Sequence, residues 1–170
     1  QVDMRYRNAS NFTNAKLPGY EGNRAFMRRE AAEALARVQA ALKVDGLGLL
    51  VWDAYRPVRA TLAMVDWTQK THQEHLVRDG YIADRSKHNL GVAIDLTLVS
   101  LGTQSQLDMG TPHDEFSERA HTANATGAVA TNRDKLVKAM AAQQFANYDM
   151  EWWHFSFNVP NPMRFDKVVR

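Results

Sequence analysis

Apolar residues recur at helical spacing through Met27, Ala31, Leu35, Val38 and Leu42, the stripe of a helix over about 24–43 that faces a core. Asn23 stands where a capping side chain belongs, and Asp45-Gly46 supplies the stop. The short apolar run 48–53 predicts a buried strand, and Tyr55-Arg56-Pro57 turns the chain out of it. Pro57 lacks an N–H that the first turn of a helix would leave unused, so it suits the start of a second helix through Leu62, Val65 and Gln69 to about residue 75. An irregular loop over 80–88 follows. The period then becomes two: Gly91, Ala93 and Asp95 fall on one side of an extended segment that Leu96-Thr97-Leu98-Val99 continues. Residues 102–127 read mostly as loop. A third helix over about 132–145 turns Leu136, Val137 and Met140 inward, and an aromatic strand covers 150–158. The tail, with Pro160 and Pro162, is extended.

Helices that alternate irregularly with a few strands, with no glycine-rich phosphate loop and no repeat, predict an α+β fold. A chain of 170 residues with 45% apolar content is long enough for one domain over 1–170 that buries roughly 70% of its unfolded-chain surface. Lysine and arginine number 21 against 19 acidic residues, dispersed along the chain and leaving a net charge of +2. That pattern describes a mixed, solvated surface and argues against a nucleic-acid groove. No apolar run approaches the length of a membrane span. The chain has no cysteine, which removes disulfides, thiolate ligands and a thiol nucleophile together, so a bound metal must be held by nitrogen and oxygen.

The residues for such a site are present. His88 and Asp95 stand seven positions apart, and Glu151 and His154 follow about sixty residues later. A lone histidine is more often an ordinary hydrogen-bonded residue than a ligand. Asp95 changes that reading, because a carboxylate in so small and apolar a run is costly to bury unless something positive meets it. A catalytic zinc takes three protein ligands and keeps a fourth position for water, a requirement that His88, Asp95 and His154 meet. Glu151 is then free to accept a proton from a water that the metal has acidified. Glu151 and His154 are three apart, which on a regular strand sends them to opposite faces, so a bend or strand start near Trp152 is expected. Trp152, Trp153, Phe155 and Phe157 read as core and cleft wall. His72 and His75 have no acidic partner at suitable spacing and read as a solvated helix end.

Four segments together resemble the zinc-dependent D-alanyl-D-alanine dipeptidases, the family of the vancomycin-resistance dipeptidase. They are S-x-H-x-x-G-x-A-x-D at 86–95, E-x-x-H at 151–154, W-D-x-Y-R-P at 52–57, and Met109-Gly110-Thr111-Pro112-His113-Asp114-Glu115-Phe116-Ser117-Glu118-Arg119-Ala120-His121. The first two are shared with related D,D- and L,D-carboxypeptidases, whereas the last points to the dipeptidases. The resemblance runs from Tyr6 to the C-terminal region. It implies a Hedgehog/DD-peptidase-like fold: a small, mainly antiparallel sheet with helices mostly on one face and one zinc ion in a cleft at the sheet.

By the same resemblance His88, Asp95 and His154 hold the metal, Glu151 is the general base, and Arg56 stabilises the oxyanion. Asp114, helped by Ser86 and Tyr6, binds the free ammonium of a small dipeptide. Asp53 and Tyr55 orient the turn, and His121 orders its loop. His113 stands where the family usually has phenylalanine, placing another metal-competent ring nearby. The expected reaction is hydrolysis of D-Ala-D-Ala. Two alternatives stand beside it: a carboxypeptidase acting on longer peptidoglycan peptides, and a non-catalytic module stabilised by its metal. A first residue other than methionine, Gln1, tilts the expected location toward the bacterial envelope.

Overall fold

The computed structural model describes residues 1–170. Four strands, β1 (Leu47–Asp53), β2 (Ala93–Ser100), β3 (Phe145–Tyr148) and β4 (Glu151–Phe157), form one sheet in the order β1-β2-β4-β3 with every pairing antiparallel. The helices are α1 (Arg29–Val44), α2 (Val58–Lys70), a short α3 (His75–Arg78) and α4 (Gly127–Ala141). Alternation along β2 sets the two faces of the sheet. Ile94, Leu96 and Leu98 join Ala31, Ala34, Val38 and Leu42 of α1 and Leu136 and Met140 of α4 in one core. Burying each large side chain there stabilises the fold by roughly 1.5–3 kcal/mol. Asp95, of opposite parity, is left to the other face.

That second face meets a different cluster. Met4, Tyr6, Tyr20, Tyr55, Met64, Leu76 and Val169 pack the N-terminal segment, α2, α3 and the tail together. Backbone bonds secure this wall, from Asp3 N to Val51 O at 2.8 Å and from Val169 N to Gly19 O at 2.8 Å. The fold is therefore the expected α+β arrangement, with a functional cleft between the polar face of the sheet and the wall of the second cluster.

Several boundaries differ from the sequence expectation for local reasons. Asn23 does not cap α1. Its Oδ1 accepts from Met4 N and its Nδ2 donates to Val2 O, and the helix begins at Arg29, where Arg28 N donates to Gly91 O and fastens the helix start to the first metal motif. Pro57 is the residue before α2 rather than a member of its first turn. That helix ends at Lys70, because His72 takes a left-handed conformation with φ +57°. α4 starts five residues earlier than the apolar stripe indicates, and Gln144 at φ +67° reverses the chain, so that Phe145 opens β3. β3 itself was not expected. Its four residues alternate too briefly to be read as a strand. Gly91 is not part of the extended segment. It closes a 3-10 turn over Lys87–Leu90 with φ +68°, a left-handed end that glycine adopts without steric cost.

Candidate metal centre and cleft

The site begins as a row across the sheet. Asp53 of β1 pairs with Asp95 of β2, and Asp95 pairs with His154 of β4. Paired residues share a face, so one register brings an acid, a second acid and an imidazole side by side. The β1 ladder is irregular between Val51 and Asp53, a bulge at Trp52 that turns Asp53 toward Asp95. His88 arrives from the 3-10 turn, whose start is capped by Ser86 Oγ accepting from His88 N at 3.2 Å.

His88 Nδ1 lies 2.6 Å from Ala54 O. A carbonyl only accepts, so the proton is on Nδ1 and the lone pair is on Nε2. That Nε2 stands 3.2 Å from His154 Nδ1 and 3.3 Å from Asp95 Oδ2, and His154 Nδ1 stands 2.9 Å from the other carboxylate oxygen, Asp95 Oδ1. Zinc bonds of about 2.0–2.2 Å at tetrahedral angles put neighbouring ligand atoms roughly 3.3–3.5 Å apart, and one donor atom from each of the three residues lies within 4.8 Å of the others. His88, Asp95 and His154 fit the metal, and they are the one group of histidines and acids whose donor atoms converge in this way. Burial by itself would raise the Asp95 carboxyl, but His88, His113 and His154 outweigh it and hold it well below the usual range. Burial lowers the pKa of His154, which favours the neutral ring that a metal takes.

Glu151 is in place beside the trio, its Oε2 3.8 Å from His154 Nδ1. The spacing conflict is resolved by the β3–β4 ladder, where Asn147 pairs with Phe155 but Tyr148 pairs with Glu151, so that the intervening residues of β4 bulge. Burial, with Asp95 and Asp114 adding their negative charge, pushes the Glu151 carboxyl well above its ordinary value. Arg56 approaches from the turn after β1, with Nη2 3.8 Å from Asp95 Oδ2. Asp53 fixes it: Arg56 Nε donates to Oδ2 at 2.9 Å, while the hydroxyl of Tyr20 donates to Oδ1 at 2.6 Å.

The other substrate-binding candidates meet in the same cleft. The hydroxyl of Tyr6 donates to Asp114 Oδ1 at 3.0 Å, and the Tyr6 ring lies under the Arg56 guanidinium at 5.1 Å. Burial raises the pKa of Asp114, against the opposing pull of His113. Tyr6, Arg56, Ser86, Asp114, Glu151 and His154 all line a cavity of about 470 Å³. A larger cavity, about 760 Å³, opens on the far side of Asp114 and includes none of the metal trio.

His113 is held between acids, 3.5 Å from Asp95 Oδ2 and 3.4 Å from Asp114 Oδ2, with its ring 4.9 Å from that of Trp52. Burial would lower its pKa, but Asp114 and Asp95 together raise it. It stands outside the converging trio. His121 is away from the trio too, 3.2 Å from the Tyr81 hydroxyl, and His72 and His75 are exposed.

Two residues support the site in ways the sequence does not show. Asp53, expected to orient a turn, is in addition the clamp on Arg56. Arg133, buried in α4, donates to Met109 O, His121 O and Arg119 O at 2.9, 2.7 and 3.0 Å, which fastens the loop that carries Asp114. A basic residue at the inward spacing of Leu136 and Met140 was the available signal.

Two imidazoles and a carboxylate directed at one point of an antiparallel sheet, with a second buried carboxylate beside them, define a metallopeptidase of the α+β type. Residues 1–164 match the family model described as D-ala-D-ala dipeptidase, peptidase family M15, and the chain belongs to that family. It is 36% identical over 169 residues to the D-alanyl-D-alanine dipeptidase of Enterococcus faecium, covering 90% of this chain and 83% of that protein. The corresponding enzyme of Streptomyces coelicolor is 36% identical over 176 residues, with 94% and 87% covered. Among solved structures, the zinc complex of the vancomycin-resistance D,D-pentapeptidase VanY matches with a TM-score of 0.51 at 16% identity, over 92% of this chain and 80% of that one. The LD-carboxypeptidase LdcB matches at 0.52 and 20% identity, over 77% and 58%. At these identities the two structures establish the shared fold.

Proposed function

We propose that this chain hydrolyses the dipeptide D-Ala-D-Ala, with His88, Asp95 and His154 as the metal ligands, Glu151 as the base and Arg56 as the oxyanion donor. The observation that carries the reading is the meeting of the trio and Glu151 with the Tyr6–Asp114 pair in one cleft. His88 Nε2, the Asp95 carboxylate and His154 Nδ1 would hold one zinc ion per chain, which would supply Lewis acidity and bring the pKa of water toward neutrality.

The residues of the chain do the rest. Glu151 takes a proton from water on its carboxylate and delivers it to the departing amine nitrogen. A carboxyl group serves both halves of that task, accepting the proton as a carboxylate and giving it up as an acid. Arg56, clamped by Asp53, donates to the carbonyl oxygen as negative charge grows there, a stabilisation that strengthens in the transition state. Asp114 accepts from the substrate ammonium, with Tyr6 fixing the carboxylate and Ser86 on the same cleft wall.

A longer peptide would set an uncharged amide nitrogen against Asp114 and leave a buried carboxylate without its cation. That distinguishes the dipeptidase from the carboxypeptidase alternative. With zinc added, D-Ala-D-Ala is expected to turn over and N-acetyl-D-Ala-D-Ala to resist. A folded, metal-loaded protein that leaves the dipeptide intact rejects the reading. The matched relatives are bacterial, and no helix is long and apolar enough to cross a membrane. Residence in the cell envelope is the accompanying proposal, checked by fractionating cells that produce the protein.

A further inference from the structure

D-Ala-D-Ala is a zwitterion, and the groups assigned so far answer only its positive end. The cleft has an acidic side, lined by Asp114 and Glu151. Of the cations that line it, Arg56 is already engaged by Asp53. Arg85 and Lys87 line it as well, and of these two only Lys87 is held by another side chain, its Nζ donating to Ser156 Oγ at 3.0 Å. The lysine lines the cleft, as does Ser156.

The sheet register gives Lys87 its position relative to the trio. Ser156 is two residues beyond His154 on β4 and pairs with Ala93, as His154 pairs with Asp95. It therefore shares the face of the metal ligands and lies about 7 Å along the strand from His154. Glu151 is displaced from His154 in the opposite direction along β4. Lys87 also directly precedes His88 in the turn capped by Ser86 and closed by Gly91, so the geometry that holds the metal ligand also fixes the root of the lysine. A dipeptide spans about 7 Å when extended, and Asp114 and Lys87 line the one cleft that would receive it.

We propose that Lys87 binds the C-terminal carboxylate of the substrate, with the Ser156 hydroxyl holding the ammonium in position before the substrate arrives. The assignment rests on the dipeptidase reading and adds to it a specificity residue: Asp114 selects a free amine at one end, and Lys87 selects a free acid at the other. Lys87 takes part in no covalent step and transfers no proton. Its contribution is a charge-assisted contact that an amide or ester at the C-terminus cannot replace.

The test compares D-Ala-D-Ala with D-Ala-D-alaninamide, which keeps the amine and the scissile bond but lacks the carboxylate, using the zinc-loaded protein. Lys87→Met is expected to raise KM for the acid roughly 10- to 100-fold, the loss of one hydrogen bond to a charged group, with a much smaller change in kcat. KM for the amide should barely move, so the acid-over-amide preference collapses. Lys87→Arg should restore most of that preference, which a merely structural role would not do. Arg85→Ala, a change to a neighbouring cation that also lines the cleft, should leave the preference intact. Lys87→Met with the wild-type preference, or Arg85→Ala losing it in place of Lys87→Met, overturns the assignment. A wild-type protein that cleaves neither substrate overturns the dipeptidase reading and this assignment with it.

Discussion

Replacing Asp53 by asparagine removes one charge and almost no volume from the residue that aims Arg56. Asp53 is fully buried and Arg56 is 8% exposed, so the guanidinium loses the carboxylate that compensates its burial. Breaking one partner of a buried ion pair costs about 3–5 kcal/mol. At about 2–4 °C per kcal/mol for a chain of this size, Tm should fall by about 6–20 °C. Asparagine has a single acceptor oxygen to divide between Tyr20 and Arg56, while Asp95 Oδ2 stands only 3.8 Å from Arg56 Nη2. Arg56 should therefore swing toward Asp95 and away from the substrate carbonyl. Loss of one oxyanion donor typically lowers kcat by about 10²–10³, and KM should change little. Tyr20→Phe is the matched comparison, since it removes the 2.6 Å bond to Oδ1 but keeps the charge. It should cost about 2 kcal/mol and hold kcat within several-fold. The assays are steady-state hydrolysis of D-Ala-D-Ala at saturating zinc and thermal unfolding. A folded Asp53→Asn variant with wild-type kcat refutes the clamp.

Glu151→Gln should keep its zinc and lose about 10²–10⁴ of kcat, read by metal analysis alongside turnover. Because the folded state raises the pKa of Glu151, it binds that proton more tightly than the unfolded chain. The stability of the metal-free protein therefore falls as pH rises from the unfolded carboxyl pKa through the raised one. Metal-free Glu151→Gln should be more stable than wild type at neutral pH and gain nothing at about pH 4, and an equal gap at both pH values would contradict that cause. Zinc at a thousandfold excess over its dissociation constant should stabilise the fold by about 4 kcal/mol, seen as a chelator-reversible drop in Tm; His88→Ala should abolish that response, and a His88→Ala protein with the full zinc shift would remove His88 from the ligand set. Tyr6→Phe keeps the ring beneath Arg56 but deletes the donor to Asp114, so KM for D-Ala-D-Ala should rise about 10-fold with kcat nearly intact. An unchanged KM would separate Tyr6 from amine recognition.

The candidate site was legible in the sequence by two routes: a carboxylate, Asp95, in a small apolar run pointed to His88, Asp95, His154 and Glu151, and the family resemblance pointed to Arg56, Asp114, Ser86 and Tyr6. Their supports were less legible. Asp53 and Arg56 are three apart across a strand end, a spacing with no regular geometry to interpret, and only the folded turn shows that one aims the other. Arg133 holds three carbonyls of a loop up to 24 residues earlier in the chain, a relation without local signal. Asn23 shows the reverse, a residue with the right chemistry for a cap and a tertiary partner that took it. Apolar spacing identified α1 and α4 but placed their ends poorly, and α2 was found from Pro57 while its buried side is Ala60, Thr61, Met64 and Thr68, not Leu62 and Gln69. Ends are decided by single left-handed residues, His72 and Gln144 among them, and tertiary contacts outweigh propensity there.

The register of the sheet connects these observations. Asp53, Asp95 and His154 lie side by side only because β1, β2 and β4 pair as they do, and sliding any one strand by a single residue would move its contribution to the opposite face. The same slip would drive Ile94, Leu96 and Leu98 out of the core under α1 and α4, at roughly 1.5–3 kcal/mol for each side chain exposed. The apolar face therefore holds the polar face in alignment. The two departures from regular pairing, at Trp52 and between Asn147 and Tyr148, fall where regular pairing would have misdirected Asp53 and Glu151. A core that tolerates only one register, interrupted at those two points, is what brings His88, Asp95, Glu151 and His154 together from distant parts of the chain.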